Sequence, residues 1–205
     1  MSINAFPMHP TFNFKVVEYI NKVVGGHITY WALPDYQLWE DLGNWCSALR
    51  KKACTFIAQR YQGDPENHCE ANIEIAKHLL DNGSLFLKDG VDNKGHVNNL
   101  THLALAGLVI NFFYTTSTSV GQLFPEVFLQ EVPRVAVALA ATALKVVLDK
   151  MILGVGEVNF RVVSYSPVYV EIPSLMSKCD TSPVHRAKMQ ALCIRWAELR
   201  RYVAN

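Results

Sequence analysis

The chain has 205 residues and a mass of 23.0 kDa, with half its residues hydrophobic and 18% charged, which fits one globular domain and excludes an intrinsically disordered one. Nineteen Lys and Arg against 18 Asp and Glu leave a net charge of +1, without the excess carried by domains built chiefly for phosphate binding. The five cysteines, Cys46, Cys54, Cys69, Cys179 and Cys193, form no C-x-x-C pair, and an odd number in a chain this long predicts free thiols in a reducing compartment.

Met1 to Pro10 carry neither the charged head nor the apolar run of a signal peptide and are expected to form an arm (residues 1–10) ahead of one helical domain over 11–205. Phe12, Val16, Tyr19 and Ile20 share a helical face that stops at Gly25-Gly26. Asp35, after Pro34, predicts the cap of a long helix to about Tyr61, with the stripe Leu38, Leu42, Trp45, Leu49, Ala53, Phe56, Ile57 and a stop at Gly63. Asp64-Pro65 predicts a second start, with Cys69, Ile73, Ala76 and Leu80 inward and Gly83 as terminator. Lys88 to Asn99 reads as a loop, after which Asn98 or Asn99 would cap an apolar helix from Leu100 to about Tyr114. Pro133 opens a further apolar helix that closes at Gly154. Phe160 to Leu175 stays open between strand and helix, because Pro167 and Pro173 interrupt it. Ser182-Pro183 starts a last amphipathic helix with Leu192, Trp196, Leu199 and Val203 inward. The sum is an all-α, irregular bundle of about six to eight helices around two central apolar ones. The longest apolar run, Val135 to Leu144, is too short to span a bilayer.

The second half of the chain resembles an uncharacterised family of mushroom-forming fungi, domain-of-unknown-function family 6532. Asn98-Asn99, Ile110-Asn111-Phe112-Phe113-Tyr114, Gly121, Phe124 and Phe128 carry the resemblance, followed by Val132-Pro133, Ala138-Leu139, Thr142-Ala143, Leu148-Asp149, Gly154, Phe160, Tyr165 and Tyr169. It is expected mainly over residues 95–205. The family often has an acidic residue and a tryptophan after the aspartate, where Lys150 and Met151 stand here, which argues against an acidic pair around Asp149. The resemblance implies a helical fold, names no activity, and sets the nucleus beside the cytoplasm as an expected compartment.

Candidate chemistry is sparse. Glu70, Glu74 and His78, at i, i+4 and i+8 with Glu66 and Asp81 nearby, have the spacing of metal ligands on one helix face, but the same pattern is that of a solvated face and no matching Glu-x-x-His exists. His102 is a candidate base or a hydrogen-bonded core histidine. No G-x-S-x-G motif and no phosphate loop occurs. Basic residues gather at Arg50-Lys51-Lys52 and along the last helix at Arg186, Lys188, Arg195, Arg200 and Arg201. The expectation is a non-catalytic, intracellular protein- or nucleic-acid-binding module working through that helix, without a cofactor or membrane. A metal-dependent enzyme or metal-binding protein on the Glu70, Glu74, His78 face and a homo-oligomerisation domain are the alternatives.

Overall fold

The computed structural model describes residues 35–91, 95, 97–117, 119–154 and 162–203. The predicted Phe12–Ile20 helix lies outside the described residues. Helix α1 runs Asp35–Tyr61, as predicted, and buries Cys46, Leu49, Ala53, Phe56 and Ile57 along one stripe. It ends at Tyr61, and Gln62, one residue before the expected glycine, takes the left-handed conformation with φ 57°. Gly63 is instead a close-approach position, where a Cβ would meet Met151 Cε at 2.7 Å.

Asp64-Pro65 does not start the next helix. The Asp64 carboxylate accepts from the Glu66 N–H at 3.0 Å, closing a local turn, and the buried Asn72 side chain holds that turn through Asp64 N, Asp64 O and Asn67 O. An aspartate that caps its own turn is withdrawn from capping a helix. Helix α2 therefore begins later, spans Glu70–Ser84 through Gly83 without stopping, and passes into a 3-10 turn at Leu85–Leu87.

The expected loop contains a two-stranded antiparallel hairpin, β1 (Lys88–Val91) and β2 (Val97–Asn99), in register Lys88 with Asn99. With Asn98 tied by its side chain to the Asp89 carbonyl, the cap of α3 (Leu103–Tyr114) passes to His102, whose Nδ1 accepts from the Ala104 N–H at 3.1 Å. Two single-turn helices, α4 (Val120–Leu123) and α5 (Pro125–Phe128), fold back so that the Tyr114 hydroxyl donates to the Phe128 carbonyl at 3.1 Å.

Helix α6 (Arg134–Leu153) is the axis of the fold and is closed by Gly154 in the left-handed region, φ 62°. Ala136, Ala138, Ala140, Ala141 and Ala143 are all buried, and such small side chains let α1, α2, α3 and α7 approach from several sides. The ambiguous segment is helical: α7 spans Val162–Asp180 with both prolines inside it. Helix α8 (Pro183–Val203) follows after a two-residue turn and turns Met189, Cys193, Trp196 and Ala197 inward, packing against α3 and α7. The architecture is all-α apart from the hairpin, with α3 and α6 as the central apolar pair.

Candidate functional site

The predicted basic helix divides into two parts. Arg186 donates from both Nε and Nη2 to the Asp180 carbonyl, at 3.1 and 2.6 Å, and clamps the α7–α8 turn. The Asp180 carboxylate takes a bidentate hydrogen bond from Arg134 at the start of α6, and this partner holds its pKa below the ordinary value. Lys188 and Arg195 stay exposed on one flank of α8, about 20° apart at 100° per residue. Arg200 and Arg201 lie on the same helix, but their side chains are outside the described residues.

Beside Lys188 a groove of about 380 Å³ opens between the hairpin, the end of α7 and the start of α8. Its floor is apolar: Leu87, Leu100 and Ile172 are buried there, and a smaller hollow continues it over Met189 and Leu192. Lys88, Lys178 and Lys188 bring cations to the edges, with His185 between them. Among the described lining residues none is acidic. Sequence reasoning found Lys188 but missed Lys88 and Lys178, which reach the groove from a hairpin and a helix that it did not resolve.

The other predicted sites do not assemble. Glu70, Glu74 and His78 are exposed on α2, Glu74 pairs with Lys77 at 3.4 Å, and among the described residues no three His, Cys, Asp or Glu are gathered closely enough to hold a metal ion. The solvated-face alternative accounts for them: α2 buries Ala76 and Asn72, and the carboxylates point away. His102 is a helix cap, and its ring stacks on Tyr61 at a centroid distance of 4.4 Å. Burial pushes the thiols of Cys46 and Cys193 up to about 11 and raises that of Cys54, so none of these three is an activated nucleophile. Asp149 is a structural tie, accepting from Lys145 Nζ at 2.9 Å and from the Tyr165 hydroxyl. A second concavity, of about 500 Å³, lies between α1, the Asp64–Cys69 turn and the end of α6.

Among the described residues no helix is long and apolar enough to cross a membrane. No curated protein matches the chain, and no solved structure matches it. A family model does match, over residues 32–178. The span begins well upstream of the expected residue 95 and stops before α8, so the front helices belong to the family pattern and the basic last helix lies beyond it. Most of the chain is covered, and the protein belongs to the family described as domain of unknown function DUF6532.

Proposed function

We propose that the domain is a non-catalytic, intracellular binding module, in nucleus or cytoplasm, that holds an acidic segment of a partner protein in the groove between the hairpin, α7 and α8. The observation that carries this reading is the pairing of cationic edges with an apolar floor, with no acidic residue among the described lining. A peptide that alternates carboxylates with Leu or Phe would match both parts. Charge complementarity sets orientation and on-rate, and the buried apolar anchors supply most of the affinity.

Nucleic acid is the competing occupant of the same cations. Phosphate recognition needs basic side chains and stacking platforms, and has no use for a floor of Leu100, Ile172 and Leu175. The test is fluorescence anisotropy with a labelled peptide of alternating Glu and Leu, compared with a Lys and Leu peptide and a single-stranded oligonucleotide. The acidic peptide is expected to bind saturably. Lys178→Glu with Lys188→Glu should weaken it by about tenfold or more, which corresponds to about 1.4 kcal/mol. Equal binding of the basic peptide, or an unchanged double variant, would remove this reading, and tight binding of the oligonucleotide alone would replace it. Self-association in light scattering, lost in the same double variant, would make a second copy of this chain the occupant.

A further inference from the structure

Two of the nine prolines follow a serine, at Ser166-Pro167 and Ser182-Pro183, and their surroundings differ. Pro167 lies inside α7, where the backbone around it is committed to the helix. Ser182 stands in the two-residue turn between α7 and α8, with Thr181, Pro183 and Val184 exposed around it. The Ser182 carbonyl accepts from the Arg186 N–H at 2.9 Å, which makes this residue the N-cap of α8.

The two hydroxyls of the turn are used differently. Thr181 donates to the Lys178 carbonyl at 2.7 Å. The Ser182 hydroxyl has no hydrogen-bond partner among the described residues, so no bond has to be broken to free it. Pro183 lacks an N–H and has its φ fixed, and this is the feature that proline-directed protein kinases select after a serine.

The position also suits a dianion. Ser182 lines the groove between the hairpin, α7 and α8 together with Lys88 and Lys178. Arg186, one turn further along α8, already reaches back over the turn to the Asp180 carbonyl. Asp180 is the nearest acid in sequence, and its carboxylate is turned to Arg134 in a bidentate pair. The N-terminal end of a helix as long as α8 favours negative charge as well.

We infer that Ser182 is a phosphorylation site of a proline-directed protein kinase, and that its phosphate settles on Lys178 and the start of α8 and closes the groove to an acidic segment. The step moves the γ-phosphoryl group of ATP to the Ser182 Oγ. The bond to the β-phosphate oxygen breaks, the Oγ–P bond forms, and the hydroxyl proton passes to the base of the kinase. A phosphoserine carries a charge of about −1.5 to −2 and three acceptor oxygens, so it competes for the lysines that a bound peptide's carboxylates would use. Closure of the groove rests on the acidic-segment reading of it, whereas modification of Ser182 does not.

The test is incubation of the full chain with a purified proline-directed kinase and ATP, followed by mass spectrometry of the intact protein and its fragments. One added phosphoryl group at Ser182 is expected, and none at that position in Ser182→Asn, which keeps a capping side chain. The treated protein should bind the Glu and Leu peptide about tenfold or more weakly than the untreated protein. It should also melt at a higher temperature at low salt, by a margin that shrinks in Lys178→Gln. No incorporation, incorporation elsewhere than at Ser182, or an unchanged peptide affinity would overturn the inference. Should the untreated protein bind no acidic peptide, the groove reading falls by itself and the effect of the phosphate on melting decides. A gain that depends on Lys178 then supports the site, and no gain, or an equal gain in Lys178→Gln, overturns it.

Discussion

His102 caps α3 through a ring nitrogen that has to remain unprotonated, because Nδ1 accepts the Ala104 N–H. Burial, first, lowers its pKa below 6.5, Arg60 adds to the lowering, and Asp89 opposes it. The fold therefore prefers the neutral ring. Stability is full above about pH 6.5 and falls as the pH drops through that value toward the lowered native pKa. The melting temperature should decrease between pH 7.5 and 5. His102→Asn, which keeps an acceptor at the cap, should flatten that decrease, whereas His102→Ala should cost about 1 kcal/mol even at pH 7.5. Gly107 poses a contest of opposite signs. Helix propensity favours alanine there by about 1 kcal/mol. A Cβ, however, would overlap the Phe56 ring, a bulky group on a neighbouring helix that sits in the core. Overpacking costs about 1–3 kcal/mol, so Gly107→Ala is expected to lower the urea midpoint. A raised midpoint would mean that Phe56 has room to turn aside.

Helix α7 is the element that sequence rules handled least well. Proline lacks the N–H of a helical bond and crowds the preceding turn, so Pro167 and Pro173 argued against one continuous helix. Packing overrides that: Tyr165, Tyr169, Ile172 and Met176 are buried at helical spacing beside α6, and the Tyr165 hydroxyl reaches Asp149. The conflict makes a prediction, because Pro167 is exposed and its ring packs little. Pro167→Ala should restore a backbone bond without opening a cavity and raise stability by about 1–3 kcal/mol in denaturant unfolding. A loss of stability would mean that the proline bend is what seats Tyr165 and Tyr169. Where local signals and packing agreed, the elements were legible. The stripe of α1 and the Pro133 and Gly154 boundaries of α6 are such cases. They failed where one side chain was taken up by a neighbour: Asp64 by its own turn, Asn98 by the hairpin. Neither engagement is visible in spacing alone.

At the scale of the molecule, a net charge of +1 conceals how the cations are arranged. Six of the nineteen line two concavities that share no residue, Lys88, Lys178 and Lys188 at one with α7 and α8 at its rim, and Arg50, Lys51 and Lys150 at one built from α1, the Asp64–Cys69 turn and α6. Composition averages such an arrangement away, and the sequence pointed to basic residues only where they are neighbours in a run or share the last helix. Arg50-Lys51 was such a run, but Lys150 joins it from a distant helix, and no pattern in the chain announces that. Binding of the acidic peptide in the groove should weaken as rising salt screens its ion pairs, yet keep part of its affinity because the floor is apolar, and anisotropy titrations at low and high ionic strength check this. Affinity lost entirely at high salt would mean that the apolar floor takes no part in binding.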